Sequence, residues 1–234
     1  MAVFMTGGGK APIVGKKASD FAVGESVFLN ENGTPVEYLV VNQGIPSASS
    51  LYDSSCDGLW LLRKDVYNEQ ANDSSSNTYS NSDIHTYLNE DFLGLFDADT
   101  QAAIKQVKIP YAAGASAGYP IKSGADGLDA KIFLLSIREV DYTGSSSYAP
   151  EDGACPDYFN GADDSTKIAY LDGTATWWHL RSPNTNSASS GWYVTTTGGF
   201  TYGGVDGERG IRPALILSAN AVFDGETRLF KGVA

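Results

Sequence analysis

Long polar tracts break this chain into short apolar runs, and that punctuation limits what it can fold into. Residues 68–82 are almost all Asn, Asp, Ser, Thr and Tyr, residues 111–130 are rich in Gly, Ala and Ser, and residues 143–166 are again polar and glycine-rich. Such side chains bond their own backbone in turns and offer little to a core. The apolar residues are left to short segments that suit strands better than long helices. A loop-rich globular fold is the expected result.

Several of those segments have recognisable character. Ser26-Val27-Phe28-Leu29 and residues 35–41 flank Asn32-Gly33, two β-branched and aromatic runs around a dipeptide that tolerates positive φ, which predicts a β-hairpin. Leu59-Trp60-Leu61-Leu62 is wholly apolar and reads as a buried strand. Ser82 is placed to cap a helix carrying Ile84, Tyr87 and Leu88 on one face, and Asp97 to cap a second through Ala102, Ala103 and Ile104. Lys131-Ile132-Phe133-Leu134-Leu135 reads as a central strand running into Ser136-Ile137-Arg138-Glu139, whose capping-box spacing predicts a further helix. Four strand-like runs follow, at residues 177–181, 191–194, 200–202 and 211–217. Strands at both ends with short helices in the middle predict an α+β fold, and the absence of alternating βαβ units excludes a Rossmann-type sheet. Residues 21–234 read as one domain. Residues 1–20, with a glycine triplet and three lysines, read as an N-terminal attachment arm.

Charge and cysteine usage remove several functions. Lys and Arg number 16 against 28 Asp and Glu, a net charge of −12, which is the wrong sign for a phosphate-backbone binder, so no nucleic-acid partner is expected. No run approaches the roughly 20 apolar residues of a membrane span. The N-terminus lacks the basic and apolar regions of a signal peptide. Cys56 and Cys155 make neither a disulfide framework nor a paired metal-ligand spacing, and read as two buried thiols. Gly114-Ala115-Ser116-Ala117-Gly118 fits G-x-S-x-G, but Tyr119-Pro120 disfavours the helix that a nucleophile elbow requires, so no catalytic triad is expected. Thr6-Gly7-Gly8-Gly9-Lys10-Ala11 has the wrong spacing for a phosphate loop. His85 and His179 stand in no zinc motif. Asp97-Ala98-Asp99 and Asp163-Asp164 lack the spacing of a calcium loop, so no cofactor is expected and a loop-bound Ca2+ is without support. With 28 acids available, a carboxylate pair acting on a glycan is the strongest enzymatic alternative.

Residues 177–217 carry most of the functional information. Trp177, Trp178, Trp192, Tyr193, Phe200 and Tyr202 are interleaved with Asn, Ser and Thr, a mixture typical of recognition loops, in which aromatic anchors supply area and small polar groups adaptable hydrogen bonds. Ordinary polar strand faces beside a core that owns the tryptophans would have the same composition. Arg181 and Arg212 lie in apolar runs, where a guanidinium needs paired or stacked partners, so both read as structural.

Ala175-Thr176-Trp177-Trp178-His179-Leu180-Arg181-Ser182-Pro183, followed by Gly210-Ile211-Arg212-Pro213-Ala214-Leu215, resembles the WWLRSP…GVRPAL signature of an uncharacterised domain family common in gut-bacterial phages and prophages. Residues 23–27, 38–41, 52–58, 82–89 and 131–136 also look like phage-tail members of that family, so the resemblance covers most of residues 18–218. His179 departs from the signature, which usually has Trp there. The family is similar to C-type-lectin-like domains, the fold of proteins diversified by retroelements. The resemblance implies a C-terminal antiparallel sheet carrying the binding face, with Trp178, Arg181 and Arg212 as scaffold. It places the ligand contacts at Asn184, Asn186, Ser187, Trp192, Tyr193, Thr195, Thr197, Phe200, Tyr202, Asp206 and Glu208. The function it implies is a tail or tail-fibre receptor-binding module, resident in the virion after synthesis in the bacterial cytoplasm. Its partners would be a bacterial surface glycan or protein and other tail proteins, with a homo-oligomer, a trimer, as the assembly and retroelement variation as a source of the varied surface. The alternatives are a glycan depolymerase acting on host envelope polysaccharide and a structural virion decoration protein. A third, an oxidase related to formylglycine-generating enzymes, would need chemistry from Cys56 and Cys155.

Overall fold

The computed structural model describes residues 13–234. Its centre is a five-stranded antiparallel sheet in the order Ile132–Phe133, Ala214–Leu217, Leu59–Arg63, Thr34–Gln43, Ser26–Glu31. The hairpin expected around Asn32-Gly33 forms its outer edge, both turn residues having positive φ, 49° and 77°, as a two-residue turn matched to strand twist requires.

Both faces of this sheet are covered, which explains the unbroken apolar run at Leu59–Leu62. Trp60, Leu62, Phe133, Ala214 and Ile216 pack on one side with Trp178, Trp192 and Val194. Leu59, Leu61, Ile132, Leu215 and Leu217 pack on the other with Ile84, Leu88 and Phe92. The alternation follows from the two-residue side-chain period of a strand.

The second five-stranded sheet, in the order Phe200–Gly204, Ser190–Val194, Trp178–Pro183, Arg209–Gly210, Glu69–Gln70, supplies the tryptophan side of that sandwich. It is mixed and not purely antiparallel, because Trp178 pairs with Gly210 in the parallel sense. A three-stranded sheet joins Lys16–Lys17 to Ala221–Phe223 and Phe230–Val233. Three two-stranded ribbons complete the β structure among the described residues.

The expected α+β, C-type-lectin-like architecture with a helical middle is therefore overturned: the chain is predominantly β, with its strands in several small sheets. One extended helical stretch occupies residues 83–95, and it changes from α over Asp83–Tyr87 to π over Leu88–Phe92 and 3-10 over Leu93–Leu95. Ser82 caps it as expected, its Oγ accepting the His85 N–H at 3.2 Å. Asp97 likewise caps the six-residue turn Ala98–Ala103 through the Thr100 N–H at 2.7 Å. The helix expected from Ser136 does not extend. Its capping box closes, Ser136 N–H on Glu139 Oε2 at 2.9 Å and Glu139 N–H on Ser136 Oγ at 3.2 Å, but Asp141 turns left-handed at φ 61° and stops it after one 3-10 turn. Lys131 to Leu135 forms a strand at Ile132–Phe133 alone. Of the expected N-terminal arm, residues 1–12 lie outside the described residues, while Lys16–Lys17 pairs with Val222 and Phe223 and Ala18 is buried. No helix among the described residues is long and apolar enough to cross a membrane.

Candidate functional site

Strand alternation divides the second sheet into an inner face and an outer rim. Trp178 and its cross-strand neighbour Val194 point into the core, so Trp177 must point away from it, and of the four tryptophans it alone is exposed, at 37%. Trp178 is anchored by its Nε1–H on the Lys167 carbonyl at 3.0 Å and by the Arg212 guanidinium 5.0 Å above its ring. Arg212 is fully buried, donates from Nε to the Arg63 carbonyl at 3.0 Å, and burial pulls its guanidinium down to about 10.

Arg181 is held more completely. Its five N–H groups meet five acceptors: the carbonyls of Pro110, Leu134 and Asp152 at 3.0, 2.9 and 3.0 Å, and the two carboxylate oxygens of Glu139. Glu139 also accepts the Tyr52 hydroxyl at 2.6 Å. Beside this cluster the buried Ser182 hydroxyl donates to Asp152, 2.8 and 2.9 Å from its two carboxylate oxygens, and accepts the Ile137 N–H at 2.8 Å. Every one of these groups is enclosed and spoken for, so the cluster ties segments together and offers no group to a ligand.

Above Trp177 the surface opens into a concavity of about 340 Å3 lined by Glu69, Ala175, Thr176, Trp177, Thr196, Glu208 and Arg209. Arg209 forms one wall, its guanidinium 5.4 Å over the Trp177 ring and 5.6 Å over the Tyr193 ring. The close approach of this segment depends on Gly210: its N–H donates to the Trp177 carbonyl at 2.8 Å, and a Cβ there would meet that same oxygen at 2.8 Å. Glu69 and Glu208 are exposed and form no ion pair with any described residue.

The expected contact residues do not form one face. Asn186, Thr197, Tyr202, Asp206 and Glu208 are exposed, and Ser187, Thr195 and Phe200 half-buried. Three are buried. Asn184 Oδ1 accepts the Asn186 N–H at 2.8 Å to shape the loop, Trp192 is 4% exposed with its Nε1–H on the Tyr148 carbonyl, and Tyr193 is 1% exposed with its hydroxyl on the Gly203 carbonyl at 2.9 Å. These three are structural, because Asn184 Oδ1, Trp192 Nε1 and the Tyr193 hydroxyl are each spent on backbone. Tyr202, 50% exposed, packs edge-on against Trp192 and against Tyr148, ring centroids 5.2 and 6.4 Å away, making a second aromatic surface apart from the concavity. Trp178, Arg181 and Arg212, expected as scaffold, are all buried.

His179 is fully buried in contact with Tyr193 and bonds the Gln70 carbonyl at 2.9 Å, and burial pulls it down to about 4. Ser116 lies on an exposed loop between two short paired strands, with no described histidine bonded to it. Cys56 is buried and Cys155 half-buried, and burial pushes both thiols up to about 12. No group of three or more His, Cys, Asp or Glu side chains suited to a metal occurs among the described residues.

Of the concavity residues, Glu69 and Arg209 escaped the sequence reading, whereas Thr196 is one of the small polar residues interleaved with the aromatics of residues 177–217. Glu69 has no local signal, since it reaches the site through the pairing of Gly210 with it. Trp177 had one: adjacent tryptophans in a strand must face opposite ways.

The model of the domain of unknown function DUF6273 matches residues 57–219, a span that contains every residue lining the concavity. The chain belongs to the DUF6273 family. The N-terminal hairpin lies outside the match, so in this DUF6273 protein the central sheet is completed by strands from beyond the matched region. No curated protein and no solved structure matches the chain.

Proposed function

We propose that this DUF6273 protein is a receptor-binding module of a phage tail or tail fibre, which holds a ligand on the bacterial host surface without turning it over. The observation that carries the binding reading is the Arg209 guanidinium clamped between Trp177 and Tyr193 on the wall of an open concavity rimmed by two carboxylates that form no ion pair with a described residue. Such a cluster joins an aromatic contact area to directional polar groups, the combination that binding hot spots use. The phage setting rests on the resemblance across residues 18–218, as does a homo-oligomeric, trimeric assembly in the virion. If retroelement variation acts on this chain, the exposed Asn186, Thr197, Tyr202, Asp206 and Glu208 are the positions that would carry it.

A depolymerase is the second reading, favoured by one observation: Glu69 and Glu208 line the same concavity. One experiment separates the two. Purified protein is incubated with bacterial cells and envelope polysaccharide, and retained protein and released reducing ends are both measured. Retention without new reducing ends supports the binding module, and steady release overturns it.

A further inference from the structure

The chemistry of the concavity narrows its ligand. Two carboxylates stand against one guanidinium, so the local charge is negative, and the whole chain carries −12. Arg209 is also partly spent, since both of its flanking rings draw on its charge and Nη1 donates to the Glu208 carbonyl. An acidic sugar would bring a third carboxylate to a site without a free counter-charge. A ligand rich in hydroxyl donors fits better: carboxylate oxygens are strong acceptors, the Thr176 hydroxyl, which donates to the Thr174 carbonyl at 3.2 Å, can still accept, and the Thr196 hydroxyl can serve either role. The Arg209 Nε–H is buried and has no acceptor among the described residues, so it is closed to a ligand that docks on the surface as it stands. Trp177 offers an exposed indole to an apolar C–H face. At about 340 Å3 the space lies at the low end of the roughly 300–1,000 Å3 usual for small-ligand sites.

We infer that the concavity bounded by Trp177, Arg209, Glu69 and Glu208 takes a neutral pyranose unit of a surface glycan, its ring face on Trp177 and its hydroxyls donated to the carboxylates. This rests on the receptor-binding reading and names its ligand class.

The test uses the full chain against immobilised oligosaccharides ending in a neutral hexose, a uronic acid or an amino sugar, with whole bacteria in parallel, untreated, protease-treated or periodate-treated. Neutral probes should be bound, and their saturation should shift the emission of Trp177, the other three indoles being buried. Trp177→Ala should weaken binding about tenfold or more, as loss of an aromatic hot spot does, Trp177→Phe should restore much of it, and Glu208→Gln should weaken it with an unchanged melt. Capture of acidic or amino-sugar probes alone, or neutral binding indifferent to Trp177→Ala, overturns the inference. Cell binding lost to protease and untouched by periodate also overturns it, while leaving the receptor-binding reading standing. Failure to bind any cell or any probe overturns both.

Discussion

Arg181 and Glu139 form a two-point ion pair in which neither side chain is exposed, Nη2 lying 2.7 Å from Oε1 and Nη1 bonding Oε2. The remaining Arg181 donors reach the carbonyls of Pro110, Leu134 and Asp152, segments that are otherwise loops or turn ends. One side chain thus ties the polar tract at residues 143–166, through Asp152, to the ends of two apolar runs at Pro110 and Leu134. A pair of this kind contributes little net energy when intact, but removing one partner strands a buried charge.

Arg181→Ala and Glu139→Ala should each destabilise the chain by about 3–5 kcal/mol, the cost of an uncompensated buried partner. Asn186→Ala and Thr197→Ala, at exposed positions, should stay within about 0.5 kcal/mol. Thermal melts decide, at roughly 2–4 °C per kcal/mol for a domain of this size. Equal melting temperatures across the four variants would refute the division into scaffold and surface.

Asp152 should weaken the fold as the solution becomes less acidic. Burial raises its carboxyl to about 6 from an ordinary 3.8. The folded chain keeps this proton in a window where the unfolded chain has already lost it, so the associated stability is complete below about pH 4 and gone once pH has risen through 6. Asp152→Asn removes the titration. Relative to the native chain, the variant should gain stability between pH 4 and 7 by up to about 3 kcal/mol, at 1.36 kcal/mol per pKa unit. A difference that stays constant with pH would contradict this origin.

His179 acts with the opposite sign in the same window. Burial pulls it from 6.5 to about 4, so on acidification the unfolded chain takes up a proton that the folded chain refuses. The stability it contributes is present above pH 6.5 and lost as pH falls through 4. His179→Gln should flatten the acid limb of the stability curve where Asp152→Asn steepens it. NMR titration of the imidazole gives a direct check: a midpoint near 6.5 in the folded chain would exclude the mechanism.

The contrast between Arg181 and Glu69 shows what the sequence made legible. An arginine within Trp178-His179-Leu180-Arg181 has to be paired, because its surroundings are apolar, and that holds without knowing the partner. The hairpin at Asn32-Gly33 and the caps at Ser82 and Asp97 were legible for the same reason, being set by residues a few positions apart. Asp172-Gly173, with φ of 49° and 80°, gave an equally good turn signal for the Ala169–Leu171 and Thr174–Thr176 ribbon, which the reading passed over. The fold class failed because helix signals were read without their stops: a capping box begins a helix but cannot say that Asp141 ends it one turn later. The concavity failed because Glu69 and Arg209 meet through strand pairing across the sheet.

Variation of the exposed rim should alter binding before it alters folding. Combined changes at Asn186, Thr195, Thr197 and Asp206, all exposed or half-buried, should leave the melt nearly intact. Trp192→Ala, which empties a buried site, should cost about 3–5 kcal/mol. A rim library that loses cooperative unfolding as badly as Trp192→Ala would show those positions to be structural.

Trp177 and Trp178 share a peptide bond, one indole in solvent and the other locked under Arg212 and tied to the Lys167 carbonyl. The exposed ring therefore stands on backbone that has no slack, with Arg209 fixing one of its faces from the neighbouring strand. A ligand arriving there meets a surface already in its final shape, and association need not bear the ordering entropy that a mobile loop would impose. Affinity at such a spot should be insensitive to linkers and termini, and the free and bound forms of the strand should superimpose.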